Sequence, residues 1–132
     1  MKNERLMNLF KNNGHNYSSP LVKSIERCSA VTIVKLVGAV DFNTMPPIEN
    51  DMKVYQKYMD QDVVLDFKEV THIDTSTLAV LIYIISKLKQ RQKKLSLINC
   101  SNMIREYIKI GKLEPIIHVY DTLEGVLKET SK

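Results

Sequence analysis

The sequence is poor in the residues that most often carry catalysis or metal chemistry. It has two cysteines, Cys28 and Cys100, far apart, with no CxxC pair and no Cys/His spacing of a metal site. Both fall where strands or strand ends are expected, which fits small buried thiols in a reducing compartment. Of the three histidines, His15 has no evident partner, and His118 reads as a core or strand-edge residue. Long apolar runs are missing. The longest, residues 78–85, falls far short of the roughly 20 residues that a membrane helix needs. No charged-then-apolar signal segment opens the sequence, so a cytoplasmic protein without membrane insertion is expected. Charge of one sign is also scarce. The net charge is +4 and the pI about 9.0, too little to argue for nucleic acid. The one dense basic run, "KLKQRQKK" (residues 87–94), falls where a helix should end. There it complements the helix dipole and solvates a turn. No nucleic-acid partner, metal or cofactor is expected.

What is present is one domain's worth of chain. The 132 residues can bury a single core, and the 44% hydrophobic and 26% charged fractions are those of an ordinary globular protein. Residues 1–20 differ in kind. "KNNGHNYSSP" is rich in Asn and Ser and has no period, so it reads as a flexible arm. From residue 21 to residue 132 the pattern is that of one domain. "LVKSIER" and "AVTIVKLVG" read as strands joined by a turn at Cys28 and Ser29, hence a hairpin. A helix should begin near Thr44, where Pro46 and Pro47 fit only the first turn; Ile48, Met52, Tyr55 and Met59 form its apolar stripe. "VVLDF" is a short buried strand, "STLAVLIYIISKLKQ" the second helix, and "KLSLIN" a strand. "SNMIREYIKIGKL" is a third helix, capped by Ser101 and ended by Gly111. "IIHVY" and "TLEGVLKE" close the order with a strand and a helix capped by Thr122 or Asp121. The fold class is α/β: a mixed sheet, mostly parallel after an N-terminal hairpin, covered by about four helices through right-handed crossovers.

One stretch stands out. In "THIDTSTLAVLIYII", Asp74 precedes three hydroxyl residues, Thr75, Ser76 and Thr77, at the start of a helix. One hydroxyl would suffice to cap free N–H groups there. A helix start also suits a phosphate, and a phosphorylated hydroxyl would present about two new negative charges to a docking surface. At about 100° per residue, Leu78, Leu81, Ile82, Ile85 and Leu88 share the face expected to meet the sheet. Val80 and Ile84 lie on its shoulder and Tyr83 and Lys87 opposite. Val80, Tyr83 and Ile84 are either a buried stripe under a neighbouring helix or an exposed patch that meets a partner.

These residues resemble a STAS domain of the anti-sigma factor antagonist type. Leu65-Asp66 is similar to that family's strand end, and Ile73-Asp74-Thr75-Ser76-Thr77-Leu78 to its Asp-Ser-Ser/Thr-Gly-Leu loop. Gly111-Lys112-Leu113, the last helix from Thr122 to Leu127, and Gly38, Asp41 and Thr44 upstream also match. The resemblance spans roughly residues 21–129. It implies a regulatory switch rather than an enzyme. In the family, the unphosphorylated domain binds an anti-sigma factor, a serine kinase of the GHKL type, and so frees the sigma factor. The kinase phosphorylates a hydroxyl of the motif, the domain lets go, and a PPM-type phosphatase resets it. Carried over by position, Ser76 is the expected phosphoacceptor, with Thr75 second. Asp74 and Asp41 stand in the phosphosite environment, where Asp41 reads equally as a turn or capping carboxylate. The family's glycine is Thr77 here. A β-branched residue is expected to strain a glycine-type backbone there and to crowd the approach of a kinase.

Two other classes are weighed against this. A hydrolase with Ser76 as nucleophile would need a base and an oxyanion site; His72 precedes the loop, and no G-x-S-x-G elbow exists. A phosphorylation-independent STAS module, a scaffold in a transport or signalling complex, would use the apolar helix face and the arm for a stable partner. Weak self-association is compatible with either regulatory reading.

Overall fold

The computed structural model describes residues 22–40 and 60–130. The arm, Asp41 and the helix expected after Thr44 lie outside these residues. Five strands form one sheet in the order β1-β2-β3-β4-β5: β1 Val22–Arg27, β2 Val31–Val40, β3 Asp62–Ile73, β4 Leu95–Ile98 and β5 His118–Tyr120. β1 and β2 pair antiparallel as the expected hairpin, and every later pair is parallel. Three helices fall among the described residues: α1 Ser76–Gln90, α2 Asn102–Ile110 and α3 Leu123–Thr130.

The alternation of side chains along each strand divides the core in two. Val34, Leu36, Val63, Leu65, Phe67, Leu95 and Leu97 pack with α1 and α2 on one face of the sheet. Val31, Ile33, Val64 and Ile98 meet Val126 of α3 on the other. The hairpin turn is held by Gln61, whose amide donates to the carbonyls of Cys28 at 2.8 Å and Ser29 at 3.0 Å.

β3 is longer than the apolar run "VVLDF" suggests. The unbroken apolar run stops at Phe67, and only Val63 to Asp66 has β4 on its far side; beyond it Val70 and Ile73 still face the core. The backbone then continues as a strand against β2 alone, with exposed Lys68, Glu69, Thr71 and His72. Two register shifts give β3 one extra residue each time, and Gly38 of β2 sits at the second with φ of 83°. This carries Ile73 level with Val40, so the loop to α1 starts beside the end of β2.

α1 spans the expected residues but is turned about 80° from the expected orientation, at 100° per residue. Its buried side chains are Thr77, Val80, Leu81, Ile84 and Leu88. Ile82, expected inside, is 51% exposed. Val80 and Ile84 are 3% and 1% exposed, so they are core residues and not a partner patch. Two things set this rotation. Thr77 can face inward because its hydroxyl finds a carbonyl there. Leu78 is held to the side by Gly111 at the end of α2, where a Cβ would lie 3.2 Å from Leu78 Cδ1. Gly111 thus serves a close approach and not a left-handed backbone; its φ is −76°, and Lys112 takes the positive φ of 56°.

Candidate functional site

The segment from Ile73 to Leu78 joins the end of β3 to the first turn of α1. Its anchor is the carbonyl of Val40 at the end of β2. That oxygen accepts Asp74 N–H and the Thr77 hydroxyl, each at 3.3 Å. Thr77 N–H donates to the Asp74 carbonyl at 3.0 Å, and Leu78 N–H to the Thr75 carbonyl at 3.2 Å.

The three hydroxyls have three different fates. Thr75 is exposed and occupies the N-cap position with helical backbone angles, φ −62° and ψ −21°, and its side chain makes no capping bond. Ser76 is half-buried, and its Oγ donates to Asp74 Oδ1 at 2.5 Å. The same Oδ1 accepts Ser76 N–H at 2.8 Å. Thr77 is 1% exposed and tied to Val40.

No hydroxyl therefore caps α1; the Asp74 carboxylate meets a free N–H instead. The same chain shows what a hydroxyl cap looks like. Ser101, with extended angles of −72° and 166°, accepts Ile104 N–H at 3.3 Å at the start of α2. Thr122 accepts Gly125 N–H at 3.3 Å at the start of α3.

The backbone strain expected at Thr77 does not arise. Thr77 is an ordinary helical residue with no positive φ. Its side chain points into the core, so it leaves the exposed side of Thr75 and Ser76 open. Tyr83, the third residue of the expected patch, is half-buried with Lys87 Nζ 5.5 Å from its ring centroid. Its Oη is, among the described residues, the one buried side-chain polar atom without a hydrogen-bond partner.

Beside this loop, a cavity of about 260 Å³ opens between the end of β3 and the start of α2. His72, Ile73, Ser101 and Met103 are among the residues that line it. His72 belongs to this cleft, whereas the Ser76 hydroxyl is committed to Asp74. The pairing of nucleophile and histidine that a hydrolase needs is therefore not what Ser76 makes. No group of three metal-ligating side chains occurs among the described residues, nor any helix long and apolar enough to cross a membrane.

Asp66, matched above as part of a strand end, has a structural role that the motif does not convey. Asp66 is 8% exposed, and its Oδ1 accepts Lys68 N–H and Asn99 Nδ2, both at 2.9 Å. It thereby ties the point where β3 loses β4 to the residue that follows β4. Burial pushes the neighbouring Cys100 thiol up to about 11; Arg105 opposes this and Asp66 adds to it. Cys100 is half-buried, and a raised thiol carries little thiolate at neutral pH.

Residues 19–126 match the profile of the STAS domain family, and the match covers both core faces and the Asp74 loop. The chain belongs to the STAS domain family. Among its relatives is an anti-sigma-B factor antagonist of Listeria monocytogenes, 29% identical over 84 residues, which are 64% of this chain and 74% of that protein. An anti-sigma factor antagonist from Mycobacterium paratuberculosis shares the fold with a TM-score of 0.72 at 20% identity, over 87% of this chain and 99% of that one. The Bacillus cell fate determinant SpoIIAA in its phosphorylated form aligns with a TM-score of 0.62 at 16% identity, over 80% and 96% of the two chains.

Proposed function

We propose that this STAS domain is an anti-sigma factor antagonist whose binding is switched off by phosphorylation of Ser76. The observation that carries this reading is the use of the hydroxyls at the start of α1. The protein caps α2 and α3 with hydroxyls, yet leaves Thr75 exposed and Ser76 reachable at α1, where a carboxylate replaces them. A hydroxyl not needed for capping can serve a kinase, and at Ser76 it does so by giving up its bond to Asp74. The named relatives and the phosphorylated SpoIIAA structure support the same reading.

In this reading the unmodified domain holds an anti-sigma factor, a GHKL-type serine kinase. Transfer to Ser76, or secondarily to Thr75, adds about two negative charges and releases it. A PPM-type phosphatase restores the hydroxyl. Asp41 and Asp74 order the loop or meet cationic side chains of the kinase. The domain acts by binding and is not itself a catalyst.

The test is a phosphosite map of the protein from its native cell, joined to capture of its partner with the unmodified chain. Phosphate on Ser76 and capture of a GHKL kinase are expected. An unmodified chain under several growth conditions, with a constitutive partner, would instead support the phosphorylation-independent module.

A further inference from the structure

Asp74 Oδ1 takes two hydrogen bonds from one residue, the N–H and the O–H of Ser76. The O–H bond, at 2.5 Å, lies at the short end for a hydroxyl on a charged carboxylate. Its whole basis is the hydroxyl proton. We infer that Asp74 is the element that responds to modification: a phosphate on Ser76 Oγ expels the Asp74 side chain from the start of α1. This rests on Ser76 being the acceptor.

The chemistry removes the reason for the contact. In transfer from ATP, a bond forms between Ser76 Oγ and the γ-phosphorus. The bond from that phosphorus to the ADP oxygen breaks, and the hydroxyl proton is released to solvent. Ser76 Oγ is then an ester oxygen that can only accept. It would face a carboxylate oxygen that can only accept, at a distance set by a proton no longer there. The phosphate adds close to two negative charges beside the existing one.

The backbone decides which part yields. Asp74 N–H is held by the Val40 carbonyl, and the Asp74 carbonyl by Thr77 N–H. Thr77 is in turn buried against Val40. The loop backbone is fixed at three points, whereas the two bonds named above for Asp74 Oδ1 both come from Ser76 itself. Expulsion of the side chain therefore costs less than displacement of the helix start. A partner that meets this surface would encounter a phosphate and a displaced carboxylate in place of a clamped hydroxyl.

A phosphate in the first turn of a helix is ordinarily favourable, because the dipole welcomes negative charge. Here it should be unfavourable, and only because of Asp74. Phosphoserine installed at Ser76 during translation of the full chain supplies the modified protein without a kinase. Urea unfolding is compared with and without the phosphate, in the natural background and in Asp74→Asn, which keeps the acceptor oxygen and removes the charge.

The phosphate is expected to raise the unfolding constant about tenfold beside Asp74, and to leave it level or lower it in Asp74→Asn. An equal effect in both backgrounds would overturn the inference. Phosphoserine at the exposed position of Thr75 is the control, and its effect should not depend on Asp74. If Asp74→Asn does not fold, the Asp74 carboxyl ¹³C shift decides: it should move on phosphorylation of Ser76, and no movement would overturn the inference. Absence of phosphate on Ser76 in the native cell would defeat the proposed switch and leave this coupling intact, so the two failures are distinguishable.

Discussion

The Thr77 hydroxyl donates to the Val40 carbonyl at 3.3 Å, which pins the first turn of α1 to the end of β2. The residue that departs from the family's glycine thus has a structural purpose. Thr77→Val should cost about 1–2 kcal/mol, because it removes a buried hydrogen bond while keeping the shape. Thr77→Gly, which restores the family residue, should cost about 2–3 kcal/mol through lost packing, lost bond and helix propensity. Urea melts of both variants check this; a glycine variant as stable as the natural protein would show that the contact is idle.

Ser76→Asp should weaken capture of the partner while leaving the fold intact, since the site lies at the open start of a helix. Circular dichroism and a binding titration would be read together. Full affinity in a folded Ser76→Asp protein would argue against the switch.

The rotation of α1 separates two isoleucines that sequence alone treats alike. Ile84→Ala should cost about 2–5 kcal/mol, as expected for a fully buried side chain cut back in a packed core. Ile82→Ala should stay within about 0.5 kcal/mol because its side chain is half in solvent. Similar losses at both positions would mean the helix faces another way.

Cys100 gives a test that depends on pH. Its thiol is raised from an ordinary value of 9.0 to about 11, chiefly by burial. The native state holds this proton more tightly than the unfolded chain does. The group therefore favours the fold fully below pH 9, and that advantage is lost as pH climbs through 11. At pH 8 the native thiol should react with a disulfide reagent about 100-fold more slowly than the urea-unfolded thiol, from the thiolate fractions alone. Equal rates would place Cys100 in a far wetter setting.

Much of the fold was legible because it rests on local rules. The β-branched run of β2, the cap at Ser101 and the hydrophobic run of β4 each signal themselves within a few residues. The outer half of β3 did not, since exposed polar side chains conceal a backbone paired only with β2. The site was legible as a motif, Asp74 followed by three hydroxyls, but not as a mechanism. Which oxygen would accept the first N–H of α1 depends on how Val40, from the far end of another strand, positions the loop. The role of Asp66 was not legible for the same reason, because its partner Asn99 is brought close by the sheet and not by the chain.

By itself the sequence determined which segments among the described residues become strands and helices, and where α2 starts. These follow from side-chain period, capping and backbone preference, which act over a few residues. The tertiary structure alone decided which face of α1 is buried, which of the three hydroxyls is held, and that a carboxylate caps the helix in their place. Those outcomes turn on contacts between residues tens of positions apart, where one carbonyl at the end of β2 and one missing side chain at Gly111 select among arrangements that local preference leaves equal.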